Sequence, residues 1–134
     1  MKPHALITRP VSTAAIELLT SVCDTLPRVT LGRPHQPGFR LIAECADALL
    51  LGTTELVDET LLRELPRLRV IACTFRLPEH IDVTACTRRG IWVTNVATRW
   101  LGKEAEIEAA RNILDVLSGD IPRGAMNEIL QSAA

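Results

Sequence analysis

Several features that mark other classes of protein are missing from this sequence. No apolar run approaches the ~20 residues that a transmembrane helix needs, and residues 1–10 have no apolar core of the kind found in signal peptides. The 15 Lys and Arg residues are balanced by 16 Asp and Glu residues, and no basic block is present that would grip a phosphate backbone. We therefore expect a cytoplasmic protein that binds neither a membrane nor nucleic acid.

Cysteine is too sparse and too scattered to indicate a disulfide framework or a metal site. The chain has four cysteines, with no CxxC pair and no histidine cluster beside them. Three of the four fall inside apolar runs, which predicts reduced, buried thiols and no metal. The four residues are Cys23, Cys45, Cys73 and Cys86.

Short apolar runs alternate along the chain with helical patterns. Four runs are continuously apolar, which is typical of strands buried on both faces; they span residues 4–9, 48–53, 68–75 and 91–97, and a weaker strand spans 25–31. Helical patterns lie between them at residues 12–23, 37–47, 58–65 and 82–90, with Ser12, Asp58 and Asp82 as capping residues. This order predicts a single α/β domain with a five-stranded parallel sheet and helices on both faces.

The last helix has the clearest pattern. From Glu104 to Ser118 the apolar residues recur at helical spacing, and Gly119 ends the pattern. The predicted buried stripe consists of Ile107, Ala110, Ile113, Leu114 and Leu117. We expect this helix to cover the sheet beside the 91–97 strand. The tail that follows has no strong pattern, and its final residues are expected to be loosely held.

The Gly102-Lys103 pair at the start of this helix suggests a phosphate loop, but the rest of that motif is missing. Glu104 follows the lysine where Ser or Thr is needed, and no glycine stands five residues before Gly102. No GxGxxG occurs anywhere in the sequence, so the dinucleotide fingerprint is also absent. The sequence therefore predicts no bound nucleotide cofactor and no metal.

Residues 63–97, RELPRLRVIACTFRLPEHIDVTACTRRGIWVTNVA, resemble the substrate domain of the NAD-dependent D-2-hydroxyacid dehydrogenases, and most closely the phosphonate (phosphite) dehydrogenases. Residues 106–127, EIEAARNILDVLSGDIPRGAMN, resemble the final helix and tail of the same family. The resemblance implies a flavodoxin-like three-layer sandwich whose five-stranded parallel sheet has the order 2-1-3-4-5.

In that family a complete Rossmann domain separates these two stretches, whereas here TRWLGK, residues 98–103, joins them. The resemblance thus implies a substrate domain formed by residues 1–97 and 104–134, with the nucleotide domain missing and excision by design favoured over natural decay. The family's catalytic Arg, Glu and His belong to the missing segment. We expect no catalytic residue, no bound NAD and no dehydrogenase activity from the chain alone. The alternatives are a small anion- or nucleotide-binding module, or an enzyme half completed by a separate Rossmann-domain partner.

The resemblance also suggests where an anion would bind. In the family, backbone N–H groups and a basic residue in the loop after strand 4 hold the substrate's anionic group, and the phosphonate dehydrogenases have Lys where this chain has Arg76. The loop TFRLPEH departs from the family because it has no glycine, and Pro78 removes a donor. The candidate anion-binding residues are Arg76, Thr53, Thr54, Thr74, Phe75 and Leu77.

Loss of a domain would also uncover apolar surface. Phe75, Leu77, Trp100 and Leu101 lie in the two loops that would face the missing partner. We therefore predict a homodimer, with residues 98–103 either at the contact or as the hinge of a domain swap of the last helix.

Overall fold

The computed structural model describes residues 2–26, 38–52, 55–76, 79–96 and 102–129. The five strands are β1 (His4–Ile7), β2 (Asp24–Thr25), β3 (Ala48–Leu51), β4 (Val70–Cys73) and β5 (Trp92–Thr94). The five helices are α1 (Thr13–Thr20), α2 (Phe39–Ala43), α3 (Glu59–Leu62), α4 (Val83–Arg88) and α5 (Lys103–Leu117). Part of the predicted strand at 25–31 lies outside the described residues.

The sheet is parallel throughout and has the order β2-β1-β3-β4-β5, which confirms the predicted topology. In register, Leu6 faces Leu49, and Leu49 faces Ile71 on the next strand. Every residue of β3 and β4 is buried, because helices cover both faces. All five strands end at the same edge of the sheet, which we call the carboxyl edge.

Side chains alternate between the two faces of the sheet, and each face has its own apolar core. Leu6 and Leu49 belong to one core, together with buried residues of α2, α3 and α4. Ala5 and Leu50, their neighbours in the chain, belong to the other core, which α1 and α5 cover. The molecule is therefore the three-layer sandwich that the sequence predicts.

Three helices begin at the predicted capping residues. Ser12, Asp58 and Asp82 each accept a hydrogen bond from the backbone N–H three residues later, at 3.4, 2.9 and 3.0 Å. The helices are shorter than the patterns that predicted them. In α3, for example, the chain tightens after Leu62, and Leu65 N–H bonds to the Leu62 carbonyl, three residues back rather than four.

Helix α5 begins after Gly102, whose φ of 55° favours glycine. Its fully buried face comprises Ala105, Ala109, Ala110, Asn112, Ile113 and Val116. The predicted stripe was therefore wrong in part, since Ile107, Leu114 and Leu117 are only half-buried. The reason is that α5 packs against α1 as well as across β4, β3 and β5, which rotates its buried face. Among the helices that the structure describes, none could cross a membrane.

The tail after α5 lies along the outer edge of β5, although no sequence pattern indicates this. Asn95 donates its N–H to the Gly124 carbonyl at 3.0 Å, and Met126 donates to the Val93 carbonyl at 2.8 Å. The side-chain oxygen of Asn127 accepts the N–H of Val93 at 2.9 Å. These bonds satisfy the backbone of an exposed edge strand. We call residues 124–127 the edge strap.

Candidate functional site

A cavity of about 170 Å³ opens at the carboxyl edge, above β3 and beside the start of α5. Its wall includes Arg9, Pro10, Leu51, Thr74, Ala105 and Glu106. Ligands of open α/β sheets bind outside the carboxyl ends of the strands, so the cavity lies at the expected end of the sheet. Among the described lining residues, Arg9 is cationic, Glu106 is anionic and Thr74 carries a hydroxyl group, and the others are apolar or glycine.

Arg9 follows β1, and its side chain lies over Gly52, the residue that follows β3. A Cβ atom added to Gly52 would overlap with Cδ of Arg9, so this position of the arginine requires glycine at residue 52. Arg9 is exposed, and among the described residues its guanidinium has no carboxylate or hydrogen-bond partner. Within the described part of the chain it is therefore a cation in the cavity wall without a paired counter-charge.

Glu106, in the first turn of α5, is held by the N-terminal end of α1. Its Oε1 accepts the backbone N–H of Ser12 at 2.7 Å, while the Ser12 hydroxyl caps α1 through Ala15. A carboxylate at a helix N-terminus is stabilised by the helix dipole. Glu104 and Glu106 both lie in the first turn of α5 itself, so this helix end would repel a phosphate group.

The three described residues of the loop after β4 have different surroundings. Thr74 lines the cavity and donates its hydroxyl to the Leu51 carbonyl at 3.4 Å. Phe75 is half-buried and packs against the core that α2, α3 and α4 cover. Arg76 is exposed, and its carbonyl accepts Nδ2 of Asn95 at 2.9 Å. Of these candidates only Thr74 belongs to the described cavity wall.

The remaining predicted residues, Thr53, Thr54 and Leu77, lie outside the described residues, as do Trp100 and Leu101. Sequence reasoning did not identify Arg9, Glu106 or Asn95 as site residues. Arg9 could have been found from its position at the end of the predicted first strand, residues 4–9. Glu106 and Asn95 carried no comparable signal, because their partners Ser12 and Arg76 are 94 and 19 residues away.

Thiolate chemistry at neutral pH is unfavourable at the three buried cysteines. All four cysteines are free, and Cys23, Cys73 and Cys86 are buried as predicted, whereas Cys45 is half-buried. Burial raises the pKa of Cys23 to about 11, and those of Cys73 and Cys86 to about 12. A thiol with such a pKa supplies almost no thiolate nucleophile. Within the described part of the chain, no cluster of three or more His, Cys, Asp or Glu residues could hold a metal ion.

A parallel sheet of this order with helices on both faces defines the class of doubly wound α/β domains. The particular family follows from sequence comparison. Residues 5–99 match the catalytic domain of the D-isomer specific 2-hydroxyacid dehydrogenases. The chain therefore belongs to the D-2-hydroxyacid dehydrogenase family.

Named relatives agree with this assignment. A glyoxylate reductase of Aeropyrum pernix is 36% identical over 94 residues, covering 70% of this chain and 28% of that protein. A glyoxylate/hydroxypyruvate reductase of Arabidopsis thaliana is 38% identical over 96 residues, covering 69% of this chain and 29% of that protein. The chain thus spans less than a third of the length of these curated relatives.

Solved structures share the fold. A protein from Pyrococcus horikoshii has a TM-score of 0.63 at 24% identity, covering 74% of this chain and 29% of its own. A D-isomer specific 2-hydroxyacid dehydrogenase from Polaromonas has a TM-score of 0.63 at 22% identity. That likeness covers 97% of this chain and 44% of the Polaromonas chain.

Proposed function

We propose that this chain is the substrate domain of a D-2-hydroxyacid dehydrogenase, binds a small oxyanion at its carboxyl edge, and does not transfer hydride on its own. The cavity at that edge carries the proposal. It adjoins β1, β3 and β4, which all lie in the range matched by the family, and its wall includes the guanidinium of Arg9, which has no partner among the described residues. A guanidinium binds carboxylate or phosphonate oxygens through two parallel hydrogen bonds.

The absence of a nucleotide fingerprint supports a non-catalytic role. Hydride transfer requires a nicotinamide held against the substrate, and no GxGxxG is present in the 134 residues. By the resemblance given above, the family's catalytic Arg, Glu and His belong to a segment that residues 98–103 replace. The parent activity would be an NAD-dependent oxidoreduction, and this chain would supply only the substrate side of it.

The proposal that an internal nucleotide domain is missing has separate support. The likeness to the Polaromonas enzyme covers 97% of this chain, and therefore includes α5, but only 44% of that enzyme. The curated relatives are also more than three times as long as the part that matches. An excision that joined residue 97 to residue 104 through TRWLGK accounts for both observations, and we propose that it was made by design rather than by natural decay.

The named relatives and the motif resemblance favour different substrates. The relatives named above are glyoxylate and hydroxypyruvate reductases, which favours a small 2-oxo or 2-hydroxy acid. The motif resemblance to phosphonate dehydrogenases favours phosphite, with Arg76 in the position of their lysine. Both ligands are small oxyanions, so they share the recognition chemistry that the proposal requires.

Titration of the ¹⁵N-labelled chain with glyoxylate, phosphite and NADH tests the proposal. Saturable amide shifts at Gly52 and Thr74 with either oxyanion, together with no response to NADH, would support it. The same samples should show no oxidation of NADH in the presence of glyoxylate. Saturable NADH binding or turnover by the chain alone would overturn the non-catalytic role, and absence of any oxyanion response would overturn the binding role.

A further inference from the structure

The outer edge of β5, which faces away from β4, is covered by the edge strap, residues 124–127. We propose that this edge is an interaction surface for a second copy of the chain, and that the strap keeps it closed within a single molecule. Release of the strap then lets two copies join their sheets edge to edge. The proposal rests on the hydrogen bonds between the strap and β5, and it does not depend on ligand binding at the carboxyl edge.

Successive residues of β5 direct their backbone groups to opposite sides of the strand. Trp92 faces β4, since its N–H bonds to the Arg69 carbonyl at 3.0 Å. Val93 faces the strap with both of its backbone groups. Its carbonyl accepts the N–H of Met126 at 2.8 Å, and its N–H donates to Oδ1 of Asn127 at 2.9 Å. The middle residue of the strand therefore presents one donor and one acceptor to the outer edge.

The residues on either side of β5 complete this pattern. The Ile91 carbonyl accepts Nδ2 of Asn127 at 2.9 Å, and Asn95 donates its N–H to the Gly124 carbonyl at 3.0 Å. The side-chain amide of Asn127 thus takes the place of a peptide group, because it supplies both an acceptor and a donor to the strand. The strap therefore satisfies four outward backbone groups, which are the Ile91 carbonyl, the N–H and carbonyl of Val93, and the Asn95 N–H.

These four groups also match each other across a two-fold axis. The strap runs antiparallel to β5, as the bridge between Thr94 and Ala125 shows, and a two-fold axis places a strand antiparallel to its own copy. With the axis at Val93, the N–H and carbonyl of this residue pair with those of the second copy's Val93. The Asn95 N–H then meets the second copy's Ile91 carbonyl, and the reverse pair forms as well. Two copies can therefore satisfy for each other the groups that the strap satisfies within one.

The sequence of this edge favours strand pairing. Residues 91–95, IWVTN, include β-branched and aromatic residues but no charge, proline or glycine. An edge strand without such protective residues needs a cover, and the strap is that cover. The strap makes four hydrogen bonds in each molecule, whereas edge pairing makes the same number for two molecules. The closed form is therefore favoured while the strap is intact.

Two residues determine whether the strap can stay in place. Asn127 makes two of the four hydrogen bonds, and Asn127→Ala removes both. Gly124 lies so close to β5 that an added Cβ would overlap with the carbonyl oxygen of Asn95, so Gly124→Ala pushes the other end of the strap off the sheet. We expect the double variant, Gly124→Ala with Asn127→Ala, to release the strap.

Hydrogen exchange of the full chain tests this expectation. At low concentration the amides of Val93 and Asn95 in the double variant should exchange at least roughly tenfold faster than in the original chain, while the amides of β3 remain protected. At high concentration the two amides should regain protection, and light scattering should show a dimer. Glu128→Ala is the matched control, because Glu128 is exposed beside the strap and has no hydrogen bond or ion pair within the described residues. It should behave as the original chain does.

Isotope-filtered NMR distinguishes edge pairing from exchange of the last helix. Pairing centred on Val93 brings Trp92 opposite the second copy's Thr94, with ~4.5 Å between their Cα atoms. In a mixture of ¹³C-labelled and unlabelled chains of the double variant, we therefore expect an NOE between the Hα atoms of these two residues in different chains. A helix exchange places no β5 strand beside another and gives no such NOE.

Three results would overturn the proposal. The first is a double variant that stays monomeric while Val93 and Asn95 exchange rapidly, and the second is a dimer without the NOE between Trp92 and Thr94. The third is unchanged exchange of the two amides, which would show that the strap does not close the edge. Asn127→Ala alone provides the same test at Val93 without crowding Asn95, for the case in which the double variant also loses protection in β3.

Discussion

The side-chain amide of Asn95 donates a hydrogen bond of 2.9 Å to the backbone carbonyl of Arg76, and so joins the end of β5 to the loop after β4. The backbone of Asn95 is held on its other side, since its N–H bonds to Gly124 and its carbonyl accepts Nδ2 of Asn112 at 3.3 Å. The loop that carries Arg76 is thus connected to α5 and to the edge strap through one residue.

Removing this amide should loosen the loop more than it destabilises the fold. We expect Asn95→Ala to lower the free energy of unfolding by about 1 kcal/mol, the contribution of one partly exposed hydrogen bond. Hydrogen exchange at residues 74–76 should accelerate, while exchange in β3 should not. Unchanged exchange in the loop would show that the Asn95–Arg76 bond does not restrain it.

The parts of the fold that depend on local chemistry were predictable from the sequence. Continuous apolar runs correctly predicted four strands, because both faces of the sheet are covered. Ser12, Asp58 and Asp82 were correctly assigned as caps, because a capping side chain bonds to a backbone N–H only three residues later. These signals are short-range and do not depend on the rest of the molecule.

The parts that depend on distant partners were not predictable. Asn112 is a polar residue outside the predicted apolar stripe of α5, yet it is completely buried, and it bonds to the backbone of Asn95, just after β5, and of Gly124 in the edge strap. The strap itself has no periodic pattern, since main-chain groups and two asparagine side chains hold it. The cavity likewise depends on Arg9 and Glu106, which are far apart in the chain.

Asn112 should be the most sensitive polar residue of α5. Its Oδ1 accepts Gly124 N–H at 2.9 Å, and its Nδ2 donates to Asn95. We expect Asn112→Ala to cost about 2–4 kcal/mol of unfolding free energy, because two partly buried backbone groups lose their partner and a void forms. Arg111→Ala, at the adjacent exposed position, should change stability by less than about 0.5 kcal/mol in the same urea titration. Similar losses for both variants would contradict this role.

Removal of the Thr94 hydroxyl group should stabilise the folded protein. It is completely buried in β5, and its Oγ1 has no hydrogen-bond partner among the described residues. Thr94→Val replaces the hydroxyl with a methyl group of similar shape and should raise the free energy of unfolding by about 1 kcal/mol. Thr94→Ser, which keeps the hydroxyl and loses the methyl group, should be less stable than the original chain. Urea titrations of the two variants and the original chain measure both effects. A loss of stability in Thr94→Val would indicate that the hydroxyl has a partner.

Stability should fall as the pH rises above 9. The pKa of the Cys23 thiol is about 11 in the folded protein, against an ordinary value of 9.0. Between these values the unfolded state releases a proton that the folded state keeps, so unfolding becomes more favourable by up to ~1.4 kcal/mol per pH unit for this thiol. Urea titrations of Cys23→Ala should therefore show a shallower decline with pH than those of the original chain. Parallel declines would contradict a protonated Cys23 in the folded state.

Self-association should occur by exchange of α5 between two copies. Of the four residues predicted to form an uncovered apolar patch, Phe75 packs against the core and the other three lie outside the described residues, so the joint at residues 98–103 becomes the main argument for a dimer. The contact between α1 and α5 is extensive and includes the bond from Ser12 to Glu106, and an exchanged helix would re-form all of it with the partner copy.

Because a short connection promotes such an exchange, an insertion of about six Gly and Ser residues into this joint should convert a dimer into a monomer. Light scattering over a wide concentration range compares the two chains. A monomer at every concentration for the original chain would refute the exchange, and a dimer that persists with the longer joint would indicate association through a surface contact instead.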